Sequence, residues 1–142
     1  MVGVNPYIAF SGNCQEAIEF YSKALNAQLL YSQKWGDSPL SQPGLEDKIM
    51  HASIKVGGST IMMCDTHESE VMPGGNISLA IGLNDVDAAR EMFSKLSDGG
   101  NVTMPLDKTF WAEAFGMLID KFGINWMINC ENADSDHAKA IA

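Results

Sequence analysis

The strongest constraint on the fold is an internal repeat of one helical segment. AIEFYSKAL, which begins at Ala17, is repeated as AAREMFSKL, which begins at Ala88. At a constant offset the matched pairs are Ala17 and Ala89, Tyr21 and Phe93, Ser22 and Ser94, and Lys23 and Lys95. Each segment has apolar residues at helical spacing and follows a candidate strand. The repeat predicts an α+β fold built from one unit used twice.

The sequence signals for strands and helices follow one another in the same order in both halves. The first half reads as strands at residues 5–10, 27–35 and 49–65, with a helix at residues 14–25 that Asn13 caps. An exposed loop rich in Gly, Pro and Ser is expected at residues 36–47. The second half reads as strands at residues 76–83, 101–105, 109–118 and 124–130, with a helix that Asn84-Asp85 caps and that ends at Gly99-Gly100.

Gly57-Gly58 divides residues 49–65 into two strands of a hairpin. With a two-residue turn, the predicted pairs are Val56 with Ser59, Lys55 with Thr60, Ser53 with Met62, and His51 with Cys64. Because side chains alternate along a strand, the last three pairs share one sheet face. Ala52, Ile54, Val56, Ile61 and Met63 are expected on the other face, in the core.

Length and charge limit the possible partners. For a chain of 142 residues we expect one domain, at residues 1–131, with modules at about 4–66 and 75–131. A polar tail is expected to follow at residues 132–142. The net charge of −9 disfavours nucleic acid and anionic membranes. No apolar stretch reaches the length of a membrane span, and three scattered cysteines without a CxxC motif favour a reducing compartment. A soluble, cytoplasmic protein is therefore expected.

Three segments resemble one known family in order and spacing: NPYIAFSGNCQEAIEFY, HASIKVGGSTIMMCD and TFWAEAFGMLIDKFGINWMINC. The chain resembles the PhnB-like branch of the vicinal-oxygen-chelate superfamily, which includes glyoxalases, bleomycin-resistance proteins and extradiol dioxygenases. The resemblance covers residues 4 to 131. It implies two tandem β-α-β-β-β modules whose curved mixed sheets enclose a cavity, and it implies a homodimer.

The family's chemistry depends on a divalent metal held by the first and last strand of each module. By resemblance, these positions fall on Pro6 and Met62 in the first module and on Asn76 and Met127 in the second. Such a metal needs imidazole or carboxylate ligands, which these four residues lack. No metal ligand and no cofactor is therefore expected, although unconventional metal binding remains an alternative.

A cavity between such sheets would be lined by the alternating face that includes His51 and Met62. The candidate ligand-binding residues are Ile8, Ser53, Met62, Asn76, Ser78, Asn125, Met127 and Asn129, together with Trp111. Small polar groups beside Met and aromatic surface suit a small amphipathic ligand. Core packing is an equal alternative for the two Met residues, and Trp126 is expected in the core.

The candidate catalytic residues are His51, Cys64 and Glu113. An imidazole beside a thiol can activate it as a nucleophile, Glu113 could supply an acid or base, and His67 could complete a soft metal site. The alternative is a polar cross-strand pair at the end of the sheet, with His67 in solvent.

Three functions follow as hypotheses. The preferred one is a protein that binds a small amphipathic molecule without the usual metal. The second is a lyase or isomerase with an unconventional metal site or a Cys/His site. The third is a non-catalytic interaction module, and whether the chain is an enzyme stays open.

Overall fold

The computed structural model describes residues 3–67, 71 and 74–131, and the chain divides into two compact units between residues 72 and 73. The described part contains two α-helices and eight strands in two mixed four-stranded sheets. The α+β class and the tandem β-α-β-β-β order predicted from the sequence are confirmed. The predicted tail at 132–142 lies outside the described residues.

The first unit contains the strands β1 (Tyr7–Phe10), β2 (Gln28–Lys34), β3 (Ile49–Val56) and β4 (Ser59–Asp65) and the helix α1 (Cys14–Leu25). The strand order in its sheet is β1-β4-β3-β2, and β1 runs parallel to β4. The hairpin register is as predicted, with Ser53 opposite Met62 and Lys55 opposite Thr60. Gly57 adopts the positive φ of 57° that such a turn requires.

Helix α1 has the predicted bounds but not the predicted cap. The side chain of Asn13 makes no capping hydrogen bond. Instead, Oδ1 of Asp65 accepts hydrogen bonds from the backbone N–H groups of Gly12 and Cys14, both at 2.9 Å, and Oδ2 accepts one from Ile49 at 3.0 Å. Asp65 is buried at the end of β4, so one carboxylate joins the helix start to the sheet.

The second unit contains the strands β5 (Leu79–Leu83), β6 (Asn101–Asp107), β7 (Ala114–Ile119) and β8 (Asn125–Cys130) and the helix α2 (Val86–Ser97). Its strand order, β5-β8-β7-β6, repeats that of the first sheet, and β5 runs parallel to β8. The predicted cap is confirmed here, because Oδ1 of Asp85 accepts hydrogen bonds from the N–H groups of Asp87 and Ala88.

Two strands of the second unit begin later than predicted. β5 begins at Leu79 rather than residue 76, since Nδ2 of Asn125 donates to the carbonyl oxygens of Gly74 and Ile77 and holds that segment as a loop. β7 begins at Ala114 rather than residue 109. There the hydroxyl of Thr109 accepts hydrogen bonds from two N–H groups of the following turn.

Each sheet packs one face against its helix and leaves the other face open. From Thr60 onward in β4, and throughout β7 and β8, buried residues alternate with half-buried ones. Helix α1 packs on β2, β3 and β4, and α2 packs on β6, β7 and β8. We call the sheet face away from the helix the open face. Within the described residues, no helix is long and apolar enough to cross a membrane.

Candidate functional site

The open face of the first sheet carries a row of four aligned side chains. Tyr7 of β1 is paired with Met62 of β4, Met62 with Ser53 of β3, and Ser53 with Tyr31 of β2. The two tyrosines lie on the edge strands and are 53% and 51% exposed. Met62 and Ser53, which were predicted ligand-binding residues, lie between them and are half-buried.

Tyr7, rather than Ile8, contributes the first strand's side chain to this face. Ile8 is paired with Met63, which is fully buried on the helix side of the sheet. The prediction that Ile8 lies on the face of Met62 is therefore wrong. Phe10, at the same alternation as Ile8, is buried, which agrees with this placement of Ile8.

His51 lies beside this row and contacts both tyrosines. Its Nδ1 is 3.2 Å from the Tyr7 hydroxyl, and its Nε2 is 3.4 Å from Oγ of Ser53. Its ring centroid is 5.6 Å from that of Tyr7 and 6.1 Å from that of Tyr31. The Tyr31 hydroxyl in turn donates to Oε1 of Gln33 at 3.1 Å. Both ring nitrogens of His51 are thus occupied, which fixes the plane of the imidazole.

Cys64 interacts with Tyr7, and no hydrogen bond joins it to His51 within the described residues. Burial raises the pKa of the Cys64 thiol, the hydrogen bond with Tyr7 lowers it in part, and the charge of Asp65 raises it further. The pKa of Tyr7 is also raised, by burial and by the neighbouring Cys64. This environment disfavours the thiolate that the predicted His51–Cys64 nucleophile needs.

The open face of the second sheet is richer in methionine. The row that corresponds to Tyr7, Met62, Ser53 and Tyr31 consists of Ala80, Met127, Met117 and Met104. In the next row, Asn129 is paired with Gly82 and with Phe115. The predicted residue Met127 therefore lies at the centre of an apolar, adaptable surface.

The predicted asparagine and serine candidates of this unit have different surroundings. Asn76 and Ser78 are exposed and precede β5, so they do not lie in the strand face to which they were assigned. Both amide donor contacts of Asn125 are to backbone carbonyls. Nδ2 of Asn129 donates to Glu131, while its buried Oδ1 has no hydrogen-bond partner in the part of the chain described.

Trp111 and Glu113 lie in the turn before β7. The Trp111 ring contacts Phe115, with centroids 5.3 Å apart, so it borders the open face of the second sheet. Glu113 is exposed, and its backbone N–H donates to the carbonyl of Cys130. It belongs to the second unit, whereas His51 and Cys64 belong to the first. Burial raises the pKa of the Cys130 thiol, and the charges of Asp85 and then Glu113 raise it further.

Two other predictions concern residues away from these rows. Trp126 is 2% exposed, and its Nε1 donates to Oδ2 of the buried Asp120 at 2.8 Å, which confirms its place in the core. His67 is exposed, and its Nε2 is 3.0 Å from Oε1 of Gln42.

Comparison with known proteins identifies the family. The model of the glyoxalase/bleomycin resistance protein/dioxygenase superfamily matches residues 3–128. The chain belongs to this superfamily. The resemblance inferred from the sequence is therefore confirmed at the superfamily level, and the two repeated modules agree with the superfamily's vicinal-oxygen-chelate fold.

Relatives of this superfamily member include proteins matched along nearly their whole length. Protein YjdN of Escherichia coli is 36% identical, with 89% of this chain and 93% of YjdN covered. The crystal structure of PA1353 from Pseudomonas aeruginosa is 39% identical with a TM-score of 0.84, covering 92% of this chain and 98% of PA1353. A PhnB protein of Bacillus cereus shares the fold, with 24% identity, a TM-score of 0.76, and 91% and 99% of the two chains covered.

The superfamily's divalent metal can be tested against the side chains at the corresponding positions. Of the four positions that the resemblance assigns, Met62 and Met127 lie on the open faces, where they are paired with Tyr7 and Ala80, and Pro6 and Asn76 precede β1 and β5. The phenol of Tyr7, whose pKa is raised, the methyl group of Ala80 and the thioethers of Met62 and Met127 do not fit as ligands of a hard divalent ion. In the described residues, no three His, Cys, Asp or Glu side chains are grouped as metal ligands.

Proposed function

We propose that this protein binds a small amphipathic molecule on the open faces of its sheets, without the divalent metal that its superfamily commonly uses. The observation that carries the proposal is the contrast between the two faces of each sheet. The helix-covered face is closed by apolar packing, whereas the open face has half-buried side chains of mixed chemistry. Half-buried apolar surface with a few polar groups is typical of small-molecule sites.

Polar groups and aromatic rings occur together on the open face of the first unit. Tyr7, His51 and Ser53 form one hydrogen-bonded chain, and Tyr31 adds a second exposed ring. A polar ligand group could replace water at the Ser53 end of this chain without leaving a buried donor unpaired.

The second unit, taken by itself, has an apolar open face. Met104, Met117 and Met127 lie side by side across three strands, and thioether side chains adapt their shape to a bound molecule. The aromatic pair of Trp111 and Phe115 adjoins this surface.

The direct test is thermal unfolding of untagged protein in the presence of a chemically diverse set of small molecules. A ligand at about 100 times its Kd should raise the free energy of unfolding by about 2.7 kcal/mol. Met117→Ala should reduce this stabilisation, whereas Leu40→Ala, which truncates an exposed side chain of the first unit's loop, should not. Absence of stabilisation by every compound would refute the proposal and favour an interaction module.

Elemental analysis of the same preparation tests the second part of the proposal. We expect less than stoichiometric zinc, nickel, manganese or iron. One equivalent of any of these metals would favour the alternative, an enzyme of the lyase or isomerase type with an unconventional site.

We further propose that the protein is a homodimer. The edge strands β2 and β6 expose Leu29 and Leu30, and Val102 and Met104, respectively. Exposed apolar side chains on edge strands favour association with another chain. Light scattering at micromolar concentration should give twice the monomer mass, and a single monomeric species would contradict this.

A further inference from the structure

We infer that the ring cluster of the first unit, formed by Tyr7, Tyr31 and His51 together with Ser53, binds a flat, uncharged aromatic ring that carries a hydroxyl or carbonyl group. This inference rests on the proposed function and specifies the ligand class for one face. Neither tyrosine was among the residues singled out from the sequence.

The arrangement of the rings favours a flat ligand. His51 contacts both tyrosines, with interplanar angles of 52° and 46°, and the tyrosines are about half exposed on opposite edge strands. Tyr7 and Tyr31 therefore each present exposed ring surface, one on either side of the His51 imidazole. An aromatic ligand can stack on or pack edgewise against such surfaces, and it gains more than a saturated ring of similar size.

The rings are held in place by contacts within the protein. The Tyr31 hydroxyl donates to Gln33, and the Tyr7 hydroxyl is hydrogen-bonded to Nδ1 of His51. Because the side chains are already positioned, ligand binding requires little further loss of side-chain freedom. Hydrogen bonds position these two tyrosine rings, whereas Phe110, which is 97% exposed, contacts the Trp111 ring edge-on and has no polar group to hold it.

The hydrogen-bonded chain explains why the ligand can carry either a hydroxyl or a carbonyl group. When the Tyr7 hydroxyl donates to Nδ1, Nε2 of His51 carries the proton and donates to Ser53, whose own hydroxyl proton is then available to a carbonyl. When Nδ1 donates to Tyr7, Ser53 donates to Nε2, and its oxygen can accept from a ligand hydroxyl. Both arrangements use the same heavy-atom positions.

The charges on this face argue against a cationic ligand. The strand residues that share the open face of the first sheet include Lys55, paired with Thr60, and no Asp or Glu side chain in the described strands. Asp65 lies on the opposite, buried face. Among the described strand residues of this face, a cation would meet the charge of Lys55, which repels it, and no carboxylate that would neutralise it.

Three probes of matched size test the inference by isothermal titration calorimetry. They are 2-naphthol, which is flat and has a hydroxyl group, naphthalene, which lacks the hydroxyl, and decahydro-2-naphthol, which is not flat. We expect 2-naphthol to bind about 3- to 10-fold more tightly than either of the others, the range that an aromatic contact or a neutral hydrogen bond supports.

Variants locate the binding. Tyr31→Leu should weaken 2-naphthol binding about 3- to 10-fold, while Phe110→Leu, a matched loss of an exposed ring, should leave it unchanged. Ser53→Ala should weaken 2-naphthol but not naphthalene, and the ring resonances of His51 should shift when 2-naphthol is added to the wild-type protein. If Tyr31→Leu does not fold, the comparison of 2-naphthol with naphthalene binding to Ser53→Ala still tests the inference.

The outcomes that overturn the inference are distinguishable from one another. If decahydro-2-naphthol binds as tightly as 2-naphthol, or if Tyr31→Leu behaves like Phe110→Leu, small-molecule binding stands but the flat-ligand assignment is wrong. If no probe binds and no compound of the diverse set stabilises the protein, the proposed function itself is wrong. Tighter binding of a naphthyl trimethylammonium ion than of 2-naphthol would also overturn the inference, in favour of a cation site.

Discussion

Replacement of Asp65 should destabilise the first unit more than any exposed acidic substitution. Its carboxylate accepts three backbone hydrogen bonds, of which those from Cys14 and Ile49 are buried and that from Gly12 is partly buried. Asp65→Ala leaves all three N–H groups without this acceptor. At about 1–3 kcal/mol for each buried donor, the expected loss is about 4 kcal/mol, a large part of a typical free energy of unfolding.

Asp65→Asn separates the loss of hydrogen bonds from the loss of volume. The amide can retain its oxygen towards Gly12 and Cys14 but presents an NH₂ group to the N–H of Ile49. One buried hydrogen bond is lost and two lose their charged acceptor, so we expect a loss of about 2 kcal/mol. The order of stability should be wild type, then Asn, then Ala.

Urea unfolding followed by circular dichroism measures these losses. For a slope of about 2 kcal/mol per molar urea, Asp65→Asn should lower the midpoint by about 1 M and Asp65→Ala by about 2 M. The control is Asp47→Asn, an exposed carboxylate two residues before Ile49, which should change stability by no more than about 0.5 kcal/mol. If Asp65→Ala matched this control, the carboxylate would not be the tie between helix and sheet.

Two further predictions use the thiol and the close packing of the sheets. Because burial raises the pKa of Cys64, iodoacetamide should alkylate it more slowly at pH 7 than it alkylates a free cysteine, with the rate rising as the pH increases. Tyr7→Phe removes a hydrogen bond that lowers this pKa, so mass spectrometry should show still slower alkylation; faster alkylation would contradict the assignment. Gly116→Ala should cost about 1–3 kcal/mol in urea unfolding, since its Cβ would lie 2.7 Å from a ring atom of Phe93, whereas Gly58→Ala, with open space around it, should be nearly neutral.

The sequence predicted those elements whose signals are local. Helix α1 was predicted with its observed bounds because apolar spacing and a polar start lie within twelve residues. The β3–β4 register followed from Gly57-Gly58, since a two-residue turn fixes every pair outward from it. The cap of α2 by Asp85 was also visible, because donor and acceptor are neighbours along the chain.

The wrong predictions concern contacts between distant residues. Asp65 replaces Asn13 as the acceptor at the start of α1 because the end of β4 reaches that helix, and β4 lies some fifty residues further along the chain. The inward face of β1 depends on its parallel pairing with β4, which alternation over four residues does not define. β7 begins later than predicted because the Thr109 hydroxyl accepts hydrogen bonds from the backbone of the following turn. These local hydrogen bonds compete with the strand that the apolar pattern predicts.

The repeat explains why the fold was easier to predict than the site. In both units most helix-facing positions of the two central strands are apolar and buried, since loss of packing there would destabilise either copy. The open rows have diverged: Tyr7, Ser53 and Tyr31 in the first unit correspond to Ala80, Met117 and Met104 in the second. Met62 and Met127 are the one shared pair in these rows, and neither supplies a hard metal ligand. If the proposed function holds, the polar aromatic row of the first unit, which has no counterpart in the described rows of the second, is the place where substitutions should alter ligand selectivity first.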